Sequence, residues 1–513
     1  YYFPIFLGLL SIVAFVWGAS SLASYFYRRA EKAAPQISLL SRVAVLVAGA
    51  ICIGLCLFGI RGRMGYNPIK VSQAYYCEDP FLNQLGVNPV FNLLTSTLDD
   101  NRKENRTLHL MSEEDALSKV QKYLHRQGID RLSPIARKVE REGTPNRRNV
   151  VLVFMESMSA NLMGTFGSDK KLTPYLDSLY QQSLSFSHFY SSGIHTNHGI
   201  YSTLYSFPAI MKRNAMKGSV IPVYSGLPTV LQENGYCNLF FMTHESQYDN
   251  MNAFLRTNGF DEIYAQENYP SEKVVNSFGV QDDFMYQYAL PILNERAGTG
   301  NPFFSVLLSI SNHPPYVIPP YFHPHSDVLE EQIVEYADWS IRQFMQAAEK
   351  KPWFDNTIFV FLGDHGKMVG TPECEMPQSY NHIPLMIYGK DIKPGVYDGF
   401  GGQVDVSPTL LGLLNISYLQ NNFGVNLLEE ERPCMFFTAD NLIGARDSVN
   451  MFIYSPDSQQ EFKYKLEEGK LHAATGTDEE AFRNLKDYCF SMLQSTESLV
   501  KEHKTLDKVS VKK

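Results

Sequence analysis

Two uncharged apolar runs, residues 1–27 and 43–60, open the chain. A helix crossing a bilayer takes about 20 apolar residues, so the first is long enough and the second is near the minimum. Neither has the basic leader of a cleaved signal peptide. The pattern predicts two transmembrane helices, the last of a larger set. From residue 149 the pattern changes to short apolar runs separated by polar turns, which predicts strands over 150–155, 238–242, 303–310, 358–362 and 385–388. Helical periodicity lies between them over 172–183 and 329–351. Strands alternating with helices, and apolar on both faces, predict an α/β fold with a mainly parallel sheet covered by helices.

The two patterns set the domain reading: residues 1–64 transmembrane, 65–148 a partly helical connector, 149–422 the catalytic domain, and 423–513 a more polar C-terminal subdomain. In the connector an apolar patch covers 81–94. An amphipathic helix is predicted over 111–123, with Ser112 as cap and Glu113 and Glu114 in its first turn. In the last part, 462–470 reads as a strand and turn, and the final dozen residues as a frayed basic tail.

Charge and cysteines change this picture little. A net charge of −9 without a basic stripe argues against a nucleic-acid partner. Seven scattered cysteines, in no Cys-x-x-Cys or Cys/His spacing, form no zinc motif and no disulfide framework, though they leave room for one or two disulfides. Arg28, Arg29, Lys32 and Arg42 between the apolar runs favour a cytoplasmic loop and an outward-facing C-terminal part, against Arg61, Arg63 and Lys70 after the second run.

Candidate chemistry lies where the two strongest apolar runs stop. Val150 to Met155 ends in Glu156, and Ile358 to Leu362 ends in Gly363-Asp364-His365-Gly366. In open α/β sheets, ligands bind at the carboxyl ends of strands. Glu156, Asp364 and His365 are therefore candidate ligands of one metal, although a strand-end carboxylate alone can equally be a solvated loop residue. Carboxylates with a histidine suit a divalent ion of the Mn or Zn kind rather than an all-oxygen cage. Such a centre needs a nucleophile or an activated water. Thr196, in Gly193-Ile194-His195-Thr196 ahead of a predicted helix, is the candidate; a plain N-cap threonine is the alternative.

These stretches, with Ser311-Asn312-His313-Pro314 and Gln403-Val404-Asp405-Val406-Ser407-Pro408-Thr409-Leu410 in the same order, resemble the lipoteichoic acid synthase and phosphoglycerol transferase family of the alkaline phosphatase/sulfatase superfamily. The likeness covers about 149–422. It implies an alkaline-phosphatase/sulfatase-like fold behind several transmembrane helices, in the cell membrane with the catalytic domain extracytoplasmic. It implies Mn²⁺ held by Glu156, Thr196, Asp364 and His365, with Zn²⁺ or Mg²⁺ as alternatives, and Thr196 as nucleophile. His313 would contact the donor headgroup or leaving group and serve as general acid. The partners implied are a phospholipid donor, a glycan or lipid acceptor and the membrane.

One departure bears on the headgroup. Lipoteichoic acid synthases carry a Trp and an Arg a few residues beyond a histidine like His244, whereas residues 244–254 here contain neither. His244 and His382 remain candidate substrate contacts. The alternatives are phosphoethanolamine transfer, a phosphodiesterase or sulfatase-like hydrolase, and, from another class, a non-catalytic binding module. A formylglycine-dependent sulfatase would need a Cys/Ser-x-Pro-x-Arg motif, which is absent near residue 196.

Overall fold

The computed structural model describes residues 2–33, 38–64, 68–77, 82–83, 85–129, 132–218, 221–467, 469–474 and 479–506. The chain divides into two units, residues 1–69 and 70–513. In the first, the apolar runs are helices: α1 (Tyr2–Ala33) and α2 (Leu39–Arg61), the latter capped by Ser38, whose hydroxyl accepts from the Ser41 amide at 3.2 Å. By length and composition, α2 is the one helix among the described residues that could cross a membrane.

The second unit begins with two connector helices, α3 (Pro89–Asp100) and α4 (Glu113–Tyr123). The expected cap of α4 is present: the Ser112 hydroxyl accepts from the Asp115 amide at 3.1 Å. The fold is α/β, built on an eight-stranded sheet. Its strands in chain order are β1 (Asn149–Met155), β2 (Leu184–Tyr190), β3 (Cys237–Met242), β4 (Glu262–Tyr264), β5 (Phe303–Leu308), β6 (Thr357–Gly363), β7 (Leu385–Tyr388) and β8 (Gly395–Gly402). Across the sheet they lie in the order β8-β2-β7-β6-β1-β5-β3-β4. Only β7 pairs antiparallel with its neighbours; the remaining pairs are parallel.

β1 and β6 sit side by side in the middle, Met155 opposite Gly363, so Glu156 and Asp364 leave the sheet at the same edge. Successive side chains of β1 enter opposite cores. Val150, Leu152 and Phe154 pack on one face; Val151, Val153 and Met155 pack on the other with helices α5 (Pro174–Gln181), α7 (Asp282–Ala297) and α8 (Leu329–Ala348). Each such side chain removed from water is worth roughly 1.5–3 kcal/mol, which makes the central strands a stiff platform. Helix α6 (Thr196–Tyr205) lies in the first core and starts at the site edge of the sheet.

A second, antiparallel sheet follows: β9 (Met435–Thr438), β10 (Ile443–Arg446), β11 (Asn450–Ser455), β12 (Gln460–Glu467) and β13 (Lys470–Ala473). Helix α9 (Glu479–Lys501) packs against it and against α4.

The sequence pattern did not announce β2, β4, β8 or α9. β2 carries Ser185 and Ser187 between its aromatics, β8 contains four glycines, and α9 buries Ser491, Ser495, Thr496 and Glu497. All seven cysteines are free, so the disulfides left open above are not formed. The basic tail from residue 507 and the turn residue Glu468 lie outside the described residues.

Candidate active site

Glu156, Asp364 and His365 converge: one ligand atom from each lies within 4.8 Å of the others. Both carboxylate side chains are fully buried and His365 is nearly so. Asp364 divides its two oxygens. Oδ1 accepts the amides of Ser157 and His365, each at 2.8 Å, while buried Oδ2 has no hydrogen-bond donor. His365 divides its nitrogens likewise. Nδ1 lies 2.8 Å from the Gly366 carbonyl, which makes it the protonated nitrogen. Nε2 is then the lone-pair nitrogen, 3.5 Å from Asp364 Oδ2 and 3.8 Å from Glu156 Oε1. Burial first, and then the Asp364 charge beside it, raises the Glu156 carboxyl well above its ordinary 4.5.

A buried orphan oxygen, a free imidazole nitrogen and two acids pressed together fit a bound divalent cation, which would supply the positive charge the protein withholds. The donors present are the oxygen and nitrogen set that such an ion takes.

Thr196 Oγ1 lies 3.5 Å from Glu156 Oε2, at the first residue of α6. The unpaired amides at a helix start favour an anion there. Two glycines make the placement. A Cβ on Gly199 would stand 2.3 Å from the Asp364 carbonyl oxygen, so α6 lies directly on the backbone of the loop that carries Asp364 and His365. A Cβ on Gly193 would meet His198 Nδ1 at 2.3 Å. Gln403 ties the two loops together: its Oε1 accepts the Ser192 amide at 3.0 Å, and its Nε2 donates to the Gly363 and Asp364 carbonyls at 3.0 and 2.7 Å. This gives part of the stretch 403–410 a physical role.

The loop after β5 forms another wall. Asp282 accepts the Ile310 amide at 2.9 Å and the Ser311 amide at 3.2 Å. Asn312 donates to the carbonyls of Glu156 and Ser157 at 3.2 and 3.1 Å, and its Oδ1 accepts from Lys367 Nζ at 2.6 Å. His313 follows, partly exposed, lying against Phe278 with ring centroids 4.3 Å apart and the planes tilted by 50°. Its Nδ1 meets the Pro314 carbonyl at 2.6 Å, which leaves Nε2 for a substrate.

The histidines named as substrate contacts are placed differently. His244 is 2% exposed, lies against the Tyr248 ring at 4.8 Å and meets the Glu245 carbonyl through Nδ1 at 3.0 Å. Further along the same loop, Asp249 accepts from Asn197, the residue after Thr196, at 3.1 Å and from Lys217 at 3.0 Å. Asp249 and Asn250 both have left-handed backbones, φ 48° and 69°, a strained pair held beside the start of α6. His382 stacks on Tyr190 and meets Phe166 edge-on, with Nε2 2.9 Å from the Ser187 carbonyl. Burial lowers its pKa to about 4. That ring is engaged in packing rather than presented to a substrate.

Two pairs were hidden from sequence reasoning because their members are far apart in the chain. His195, next to Thr196, bonds through Nε2 to Asp440 at 2.6 Å, a contact delivered by the loop between β9 and β10. Lys367, mostly buried behind His365, lies over the Tyr316 ring at 5.6 Å and on Asn312. Burial outweighs the nearby acids and lowers its pKa to about 8. The Asp-His-Gly-Lys run was the only local hint of this second cation.

A sulfatase family model matches residues 148–416, just over half of the 513 residues. The lipoteichoic acid synthase-like YvgJ of Bacillus subtilis (strain 168) is 25% identical over 362 residues, 64% of this chain and 56% of the relative. The lipoteichoic acid synthase of Staphylococcus aureus (strain NCTC 8325 / PS 47) is 24% identical over 400 residues, 69% of this chain and 58% of that one. The chain thus spans little more than half the length of these curated relatives. Among solved structures, a protein in the alkaline phosphatase superfamily from Vibrio parahaemolyticus superposes with a TM-score of 0.69 at 25% identity, over 77% of this chain and 97% of that one. The lipoteichoic acid synthase LtaP from Listeria monocytogenes shares the fold, with a TM-score of 0.61 at 22% identity over 75% and 98% of the two chains.

Proposed function

The chain belongs to the sulfatase family, and from that premise we propose that it is a membrane-anchored, metal-dependent transferase. In this reading it moves a phosphoglycerol headgroup from a phospholipid to a glycan or lipid acceptor. The observation that carries it is Thr196 Oγ1 standing at 3.5 Å from a buried carboxylate of the Glu156, Asp364 and His365 cluster. The distant likeness to lipoteichoic acid synthases supports the donor and acceptor classes.

Glu156, Thr196, Asp364 and His365 would hold the ion, Mn²⁺ in our assignment with Zn²⁺ or Mg²⁺ as alternatives; when bound it supplies positive charge that favours the ionised Thr196 oxygen and neutralises phosphoryl oxygens. The protein does the rest by position and charge. Thr196 stands at the first residue of α6, where the helix dipole favours negative charge on its oxygen. Thr196 Oγ forms a bond to phosphorus as the bond to the diacylglycerol oxygen breaks, and His313 gives that oxygen its proton. In the second half, His313 takes the proton of the acceptor hydroxyl. That oxygen bonds to phosphorus, and the phospho-threonine bond breaks. Lys367 and Asn312 hold the wall behind the phosphoryl group. His244 acts indirectly, through the loop that carries Asp249, and His382 is assigned to packing. In this reading the catalytic domain faces out of the cytoplasm on a multi-pass anchor to which α2 belongs.

The test is the intact mass of the Mn²⁺-loaded protein after incubation with mixed phospholipids, beside Thr196→Ala. A glycerophosphate adduct on the wild type alone is the expected result. A phosphoethanolamine adduct would move the assignment to that headgroup, for which the missing Trp and Arg near 244–254 leave room. Turnover without an adduct would indicate direct hydrolysis. No adduct and no diacylglycerol from either protein would overturn the transferase.

A further inference from the structure

Helix α3 is built inside out. Asn88 caps it by accepting the Val90 and Phe91 amides at 2.9 and 3.2 Å, and Pro89 occupies its first turn. At 100° per residue, Val90, Phe91, Leu93 and Leu98 fall on one arc and Asn92, Thr95 and Ser96 on the other. In a helix docked on a core the apolar arc faces inward. Here Val90, Leu93 and Leu98 are 65, 66 and 68% exposed, Phe91 is 41% exposed, and nearby Leu85 is 71% exposed. The polar arc is the partly covered one.

We propose that this face lies in the interfacial plane of a lipid bilayer, with the apolar arc at the boundary between headgroups and acyl chains. The inference does not depend on the reaction assigned above. Two observations select lipid as the occupant. The hydroxyls along the helix are spent on its own backbone: Thr95 on the Phe91 carbonyl at 2.9 Å, Ser96 and Thr97 on the Leu93 carbonyl at 3.1 and 2.7 Å. A protein partner usually exchanges about one hydrogen bond per 100–200 Å² of interface, whereas a hydrocarbon phase requires polar groups to be satisfied internally. The second observation is the tether. Helix α2, apolar enough to cross a membrane, ends at Arg61, and α3 begins at Pro89. At about 3.5 Å per residue the 28 steps between them (89 − 61) reach at most roughly 100 Å, so a bilayer holding α2 is within reach of α3. The helix carries no basic residue, so the attraction comes from its apolar arc rather than from charge on the lipid.

The experiment uses the full chain in nanodiscs of phosphatidylcholine, at one chain per disc. An environment-sensitive fluorescent residue replaces Leu93, Ser96 or Val396, one position at a time. Val396 is 60% exposed, on the sheet-edge strand β8, and serves as the aqueous control. The expected result is blue-shifted emission at position 93, quenched at least about twofold more than at 96 or 396 by lipids carrying a quencher just below the headgroup. The same contrast should persist when anionic lipid is added. Quenching at 93 no greater than at 396 would overturn the proposal. So would a blue shift at 93 that lipid quenchers leave untouched, which would mean that protein covers the face. Melting of each labelled chain, compared with the unlabelled one, identifies any label that unfolds the connector. Leu93→Glu then supplies a second reading: in liposomes it should expose the 85–98 segment to a soluble protease at least about twofold faster than wild type. Equal cleavage rates would overturn the proposal too.

Discussion

Two buried carboxylate clusters, close together in the fold, solve opposite problems. Asp405 meets Arg432 through two hydrogen bonds of 2.6 and 2.7 Å, with both side chains at most 2% exposed. The remaining capacity of Asp405 is taken by the Gly402 and Val425 amides at 3.0 and 2.9 Å, and that of Arg432 in part by the Phe423 carbonyl at 2.5 Å. That cluster is closed. Glu156 and Asp364 are equally buried yet lean on each other, with one oxygen of Asp364 unclaimed. A buried acid whose partners are all supplied by the chain is a fastening; one left short of a cation is a socket. Burial alone does not distinguish them, and the roll of donors does.

The comparison can be broken at either end. The largest effect should follow Asp364→Asn, which takes a charge from the open cluster: transfer activity should fall by at least roughly 10³-fold, the scale on which single members of a catalytic set act. Melting of the metal-free protein should change far less. Arg432→Met should do the reverse. It strands Asp405 and should cost about 3–5 kcal/mol of stability in denaturant titration, while a double variant with Asp405→Leu should regain much of the loss. Next in size, chelation should remove about 2.7 kcal/mol from wild type previously held at 100 times the dissociation constant of its ion. Asp364→Asn should show no such chelator response, and the Arg432→Met variant should retain it.

The smallest effect concerns a third kind of buried acid. Asp338 caps the start of α5, accepting the Tyr175 and Leu176 amides at 3.1 and 2.8 Å. Burial nevertheless raises its pKa from 3.8 to about 7. The folded chain therefore holds this proton more tightly than the unfolded one. Stability is greatest below the unfolded value and declines as pH rises from about 4 to about 7, after which the contribution is level. Replacing Asp338 with Asn should flatten that decline by ~1–2 kcal/mol in unfolding measured across the window.

How much of this was legible in the sequence follows from how local each signal is. β1 and β6 are unbroken apolar runs because both faces are buried, and the acids that end them mark the site edge. Ser112 announces α4 because a cap acts within three residues. β2 and β8 escaped because serines and glycines replace the expected β-formers in them, and those residues are explained only by the neighbours they touch. The same holds for the site. Glu156, Thr196, Asp364 and His365 stand beside punctuation in the hydrophobic pattern. His195 with Asp440, and Lys367 with Asn312, become pairs only after folding, across 245 and 55 residues. The outward apolar arc of α3 was visible as a patch, but its orientation was not, since periodicity gives a helix two faces and does not say which one is covered.

The contact at Gly199 has a mechanical consequence. With no room for a methyl group between α6 and the Asp364 carbonyl, Thr196 and the Asp364 and His365 loop are packed directly on one another. Under the proposed function, a substituent at residue 199 would push the start of α6 off the loop that carries Asp364 and His365. In the transferase proposed above, selection among donors would then fall to how each lipid is delivered to this edge of the sheet, its orientation and its rate of exchange.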